Sequence, residues 1–278
     1  MPPFASAGAR FVVAGLILYG IVRWFDPVRP TPADWRAATI IGGLLLLGGN
    51  GLVMFASRVV PSSLNALVIA VTPLWMVLFD WLLFRGERPA WRVVAGLLLG
   101  FAGIVVLKTA NQPDLLGRQM QWGWLLLPLL ACFLWALGSM YSKRVALPSN
   151  ALLGTAMQML TGGAALLILA TVCGEWSVID PANFSARSIL AWIYLTVFGS
   201  LIAFSAYVYM LKHSTPAAAG SYAFVNPLVA VSLGWTAGEP LGREVFFAGA
   251  LIVCAVMMIT LRPKKSASAH EPVVAPEV

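Results

Sequence analysis

The chain has 278 residues, of which 60% are hydrophobic and only 10% charged, with a formal net charge of +7. A soluble domain carries about 25% charged residues, whereas the uncharged runs 119–142, 145–174, 188–211 and 213–238 here are each long enough for a membrane helix of about 20 residues. A soluble fold is thereby excluded. So is a transmembrane barrel, because no period-two alternation in segments of about 10 residues is visible.

Nine spans are predicted, at roughly 4–24, 36–57, 62–83, 90–107, 122–142, 150–173, 187–211, 216–236 and 243–261. The fold class is an all-α polytopic membrane protein. The first span carries Arg10, about 9 Å into its helix at 1.5 Å per residue. Its guanidinium either attracts a substrate carboxylate or snorkels to the headgroups. In the second span, Gly43, Asn50 and Ser57 share one face.

The third span lies in the stretch VPSSLNALVIAVTP, where Pro61 opens an apolar run and Pro73 breaks it. Proline in a helix interior removes an amide hydrogen and clashes with the carbonyl four residues earlier, so Pro73 frees the carbonyl of Ile69. Asn65, Thr72 and Phe79 recur every seven residues here, with Trp75 beside them. Asp80 lies near the inner end, where it either pairs with Arg85 or Arg88 or couples protons. Gly86–Glu87 follows, and the fourth span ends at Lys108. Within it, Gly96-Leu-Leu-Leu-Gly100 has the small-residue spacing that lets helices approach closely. Internal packing is its first reading and a homodimer its second.

Polar residues again share helical faces in the later spans: Trp135, Ser139 and Ser142 in the fifth, Thr155, Gln158 and Thr161 in the sixth, and Ser205, Tyr209 and Lys212 in the seventh. The eighth opens with TPAAAGSYAFVNP, which restates the Pro61–Pro73 pattern about 155 residues later. Pro216 opens the run, Pro227 breaks it and frees the Ala223 carbonyl, and Tyr222 and Asn226 stand four apart. Gly238–Glu239 and a final span ending at Arg262 complete the parallel. The tail, 264–278, is rich in Pro, Ala and Ser and is expected to be disordered.

Charge placement sets the expected topology. Alternate loops hold Arg23, Arg29, Arg36, Arg85, Arg88, Arg92, Lys143, Arg144, Lys212, Arg262, Lys264 and Lys265 on one side. Only Arg58, Lys108, Arg118, Arg187 and Arg243 fall on the other. The positive-inside rule puts the C-terminus in the cytoplasm. The net charge therefore reports topology, and no nucleic-acid partner follows from it. Cys132, Cys173 and Cys254 fall in or at the ends of apolar spans and imply neither disulfides nor a metal site. No cofactor is expected. An intramembrane enzyme would need paired carboxylates, a nucleophile with a base, or several metal ligands, and none can be assembled.

The two Pro-broken segments fall on opposite sides of the bilayer in this topology, which makes the halves inverted copies. Two copies that each carry a broken helix are the signature of a secondary transporter. Matching Arg10-Phe11 to Gln158-Met159 leaves the helix at 122–142 without a counterpart in the first half. Either an N-terminal helix has been omitted through a misassigned start, or the chain is a nine-helix variant.

The stretches PPFASAGARFVVAGLIL, GGNGLVMFAS, WALGSMYSKRVALP and FGSLIAFSAYVYMLKHSTPAAAGSYAFVNP resemble EamA-type transporters of the drug/metabolite transporter superfamily. The last looks most like the YedA-type metabolite exporter subgroup. The resemblance implies two inverted repeats, a first over 1–112 that lacks its first helix and a second over 119–263. It also implies a bacterial inner-membrane location, a small-molecule substrate, and an exporter of amino-acid-like or amphipathic compounds working by alternating access. The substrate pathway is expected to use Asn50, Asn65, Thr72, Pro73, Trp135, Ser139, Gln158, Tyr209, Tyr222, Asn226 and Pro227, with Arg10 and Asp80 as charge or coupling candidates. Interhelical hydrogen bonding is the competing use of these polar faces.

Overall fold

A computed structural model of the chain describes residues 2–26, 28–60, 65, 68–111, 122–179, 184–226, 229 and 243–260. Pro61, Pro227, Gly238, Glu239 and the tail lie outside the described residues. Among the described residues, nine principal helices stand in the nine expected places and there is no strand. They are α1 (Pro3–Phe25), α2 (Pro32–Ala56), α3 (Thr72–Leu82), α4 (Trp91–Asn111), α5 (Leu126–Arg144), α6 (Ala151–Val172), α7 (Ala186–His213), α8 (Pro216–Gly220) and α9 (Arg243–Thr260).

Helix starts follow local chemistry. The second helix begins at Pro32, before the expected residue 36, because Thr31 and Asp34 form a reciprocal cap. Asp34 N donates to Thr31 Oγ1 at 3.2 Å, and Thr31 N donates to Asp34 Oδ2 at 2.8 Å. Pro32 at the first helical position loses nothing, since its amide would have no partner there. Asn150, Ser185 and Thr215 cap α6, α7 and α8 through side-chain oxygens. Pro2 supplies no such cap for α1. The buried carboxylate of Glu175, from the turn after α6, accepts from Ala5 N at 2.8 Å instead and lies 3.6 Å from Arg58.

Two antiparallel crossings organise the bundle. In the first, α1 lies against α6 with almost no side chain between them. A Cβ added at Gly8 would be 3.0 Å from the Gly163 carbonyl oxygen, and one at Gly15 would be 3.1 Å from that of Ala156. At the 148-residue offset between the halves, Gly8 corresponds to Ala156 and Gly15 to Gly163. Each close approach is therefore the image of the other. In the second crossing, α4 meets α9 in the same way. A Cβ at Gly96 would be 3.1 Å from the Ala255 oxygen, and one at Gly103 would be 3.2 Å from that of Ala248. These pairs exchange at the offset that relates Gly86 to Gly238. Equivalent helices of the two halves thus pack head to tail about a local two-fold axis, as inverted repeats require.

The two-fold also relates a feature with no sequence signal. Both α2 and α7 are π-helical in mid-course, over Gly43–Gly51 and Leu195–Phe204, at corresponding places in the two halves. The π-helix is rare, and its usual form, a single-turn bulge within an α-helix, is frequent at functional sites. In the first half, α5 packs directly on the π-helical segment, because Gly48 and Gly49 leave room for Leu134 and Trp135. The π-helical segment of α7 packs instead on α1, with Phe11 edge-on to Phe204 at 6.3 Å. Only 17% of the apolar window of α7 is buried, against 39–56% in α1, α2, α5 and α6.

Gly96 and Gly100 are both used within the chain. Gly96 faces α9, and Gly100 faces the Phe224 ring.

Candidate functional site

A cavity of about 160 Å³ lies where the halves meet. The first half contributes Gly49, Asn50 and Val53 of α2, Ile69, and Thr72 of α3. The second contributes Ala131, Cys132 and Trp135 of α5, and Tyr222. Asn50, Thr72, Trp135 and Tyr222, singled out from helical spacing, are thus brought together.

The floor of the cavity is the broken third span. Pro73 leaves the Ile69 carbonyl without its helical donor, as its position predicts. Thr72 Oγ1 donates to that oxygen at 2.6 Å, and Cys132 Sγ approaches the Val68 carbonyl at 3.5 Å. The break is therefore satisfied from inside the protein, which membrane-embedded irregular backbone requires. Cys132, whose place in an apolar span implies neither a disulfide nor a metal site, lines the cavity.

At Trp135 the cavity wall adjoins a ring of hydrogen bonds. Trp135 Nε1 donates to the Tyr207 phenol oxygen at 2.9 Å, and that oxygen lies 2.6 Å from Ser139 Oγ. Ser139 Oγ donates in turn to the Trp135 carbonyl at 2.7 Å. With the serine hydrogen so placed, the phenol donates to Ser139 and accepts from the indole, so every donor in the ring has its own acceptor. The Tyr222 ring stands 5.3 Å from that of Tyr207, and Phe204 packs edge-on to Trp135 at 6.4 Å. Tyr207 is the residue that sequence reasoning missed. Tyr209 was expected inward, but it is 61% exposed and stacks on His213 at 4.2 Å.

The other candidates lie apart from this cavity. Asn65 is buried and donates to Ser57 Oγ at 2.9 Å, tying the third span to the end of α2. Gln158 is fully buried in α6, and neither atom of its amide has a hydrogen-bond partner. Asn226 is exposed. The guanidinium of Arg10 lies over the Phe11 ring at 4.7 Å, on the side of Gly199 in the π-helical part of α7. Its buried Nε has no hydrogen-bond partner. Asp80 pairs with neither Arg85 nor Arg88. Its partner is Arg144 of the other half, at 2.9 Å.

No group of three or more His, Cys, Asp or Glu side chains suited to a metal occurs among the described residues.

Comparison with known proteins agrees with this architecture. The model of the EamA-like transporter family matches residues 1–109 and again 122–261, one match for each half. The uncharacterized inner membrane transporter YedA of Escherichia coli (strain K12) is 38% identical over 280 residues, an alignment that covers all of this chain and 87% of that protein. The uncharacterized transporter YvbV of Bacillus subtilis (strain 168) is 25% identical over 270 residues, covering 96% and 86% of the two chains. A solved crystal structure superposes with a TM-score of 0.77 over 94% of this chain and 88% of that one, at 23% identity, which speaks for the fold alone.

Proposed function

This chain belongs to the EamA-like transporter family, and we propose that it exports small neutral, zwitterionic or mildly amphipathic metabolites by alternating access between its two halves. It is a multi-pass membrane transporter and not an enzyme. The observation that carries the finer reading is the cavity shared by the halves, whose polar lining is amide, hydroxyl, thiol and indole. Among the described residues, no carboxylate lines it to neutralise an organic cation, and no pair of acids there suggests a proton relay. An amino-acid-like solute suits such a lining: Asn50 and Thr72 offer hydrogen bonds to polar ends, and Trp135 and Tyr222 offer flat apolar walls. The small-metabolite class and the outward direction rest on the family resemblance.

In this mechanism the halves rock about their symmetric crossings and expose the cavity first to one side and then to the other. Asn65, Gln158 and Asn226 enter it as residues exposed to the pathway in another facing state. With no acid among the described lining residues, facilitated diffusion needs no residue beyond those present. The loop charges support a cytoplasmic C-terminus in a bacterial inner membrane.

A panel of labelled amino acids and related metabolites, tested for uptake and counterflow in proteoliposomes, identifies the substrate. For any solute so found, Asn50→Leu and Thr72→Val are expected to lower the transport rate about tenfold or more at unchanged protein abundance, the loss expected when a polar group of the solute is left unpaired. Wild-type transport that survives both substitutions overturns the assignment of the cavity.

A further inference from the structure

A second cavity, of about 140 Å³, lies one helical turn inward of the Trp135–Tyr207–Ser139 ring. It sits between the end of α5, the start of α6 and the last turns of α7. Its polar groups are the hydroxyl of Ser142 and the amines of Lys143 and Lys212, and its walls include Leu147, Pro148 and Leu211. Among the described residues, no acidic side chain lines it.

The two lysines have different tasks. Lys143 Nζ donates to the carbonyls of Leu211 at 2.6 Å and Ser214 at 2.7 Å. That bond pair offsets the partial negative charge at the C-terminal end of α7 and leaves one N–H of the ammonium unspent. Lys212 is exposed and has no acidic partner among the described residues. The nearest acid on α3, Asp80, is held by Arg144. The cavity therefore presents net positive charge above an apolar wall. Next in sequence to the lining residues Ala151 and Val208, Leu152 is 43% exposed and Tyr209 61% exposed, so exposed apolar surface continues along α6 and α7.

A point of positive charge joined to an apolar surface at a helix boundary matches an anionic lipid more closely than a free anion. The charge bias of the loops places this end at the cytoplasmic leaflet, where anionic lipids concentrate. We propose that the cavity binds the phosphate group of an anionic glycerophospholipid, with Lys212 and the free N–H of Lys143 on its oxygens. The acyl chains then lie against Leu152 and Tyr209.

The test is native mass spectrometry of the purified full chain in mixed micelles holding equal amounts of phosphatidylglycerol and phosphatidylcholine. Preferential retention of phosphatidylglycerol is expected, and Lys212→Gln should reduce it about fivefold, the effect of one lysine near an anionic surface. Ala151→Phe, which fills the cavity and leaves both lysines in place, should reduce it as well. Thermal melting of the lipid-free variants checks that both remain folded. Equal retention of the two lipids, or retention unchanged in both folded variants, overturns the proposal. Inorganic phosphate in place of lipid is expected to leave melting unchanged; stabilisation by phosphate equal to that by phosphatidylglycerol would make this a free-anion site and overturn the lipid assignment.

Discussion

The phenol of Tyr207 is hydrogen-bonded to two side chains of one helix, accepting from Trp135 Nε1 at 2.9 Å and meeting Ser139 Oγ at 2.6 Å. Tyr207→Phe keeps the ring packing and deletes both bonds, leaving the indole N–H without an acceptor in a buried place. An unpaired buried donor costs about 1–3 kcal/mol. Thermal melting in detergent should fall by several degrees, and Trp135→Phe should cost little more when added to Tyr207→Phe. Strict additivity of the two changes would show that the bond is not formed.

The pairing of Asp80 with Arg144 joins the halves but is partly open to solvent, with side-chain exposures of 19% and 45%. Exposed pairs contribute about 0–1 kcal/mol, so Asp80→Asn should barely move the melting temperature. Asp80→Arg places two cations together and should destabilise more. The double variant Asp80→Arg, Arg144→Asp should recover most of that loss in the same assay. Transport in Asp80→Asn that keeps its dependence on a proton gradient would remove this residue from any coupling role.

The α1/α6 crossing predicts opposite outcomes for two Gly→Ala changes on nearby helix faces. At Gly163 a methyl group meets backbone atoms, Val12 N at 2.9 Å and the Gly8 oxygen at 3.0 Å, which cannot yield without moving the helix. A loss of about 1–3 kcal/mol is expected from such overpacking. At Gly20 nothing lies within 4 Å. There the gain in helix propensity of up to about 1 kcal/mol should appear as neutral or raised stability. Melting of the two variants side by side decides the matter.

Outside the membrane spans, Asp26 gives a pH dependence. Asn150 Nδ2 donates to its Oδ2 at 2.9 Å and the Val28 amide to its Oδ1 at 3.1 Å. Chiefly through the bond from Asn150, its carboxyl is held below the usual carboxylate range. The unfolded chain then binds this proton more readily than the folded one, so stability rises with pH in this window. The contribution is complete above the ordinary carboxylate pKa and disappears as pH falls through the lowered folded value. Melting curves taken downward from about pH 6 should show an acid-side loss in the wild type that shrinks in Asp26→Asn. Identical acid limbs in the two proteins would refute it.

Much of the site was legible because its causes are local. Pro73 must free the Ile69 carbonyl wherever the helix lies, and Asn50, Thr72, Trp135 and Tyr222 stand out because amides, hydroxyls and indoles avoid lipid. Tyr207 was not legible, for a physical reason. In α7 the lipid-facing residues are as apolar as the buried ones, so hydrophobicity does not mark the inward face. A stripe drawn through Ser205, Tyr209 and Lys212 is as regular as the buried one formed by Phe204, Tyr207, Val208 and Leu211. The partner of Asp80 was missed because it comes from the other half, while sequence neighbours offered Arg85 and Arg88. Nor does composition signal the paired π-helical segments, since the three glycines of LLLLGGNG weaken a helix of any pitch.

The hydrogen-bonded ring has one more implication, because Trp135, Ser139 and Tyr207 all belong to the second half. A ring held wholly within one half need not open when that half moves against the other. As the halves rock, it travels with α5 and α7 as one body and adds nothing to the difference between facing states. Its contribution of about 1–3 kcal/mol, the scale set by one buried donor, goes instead to keeping α5 and α7 together, and a half that moves as a unit is what alternating access of this kind needs.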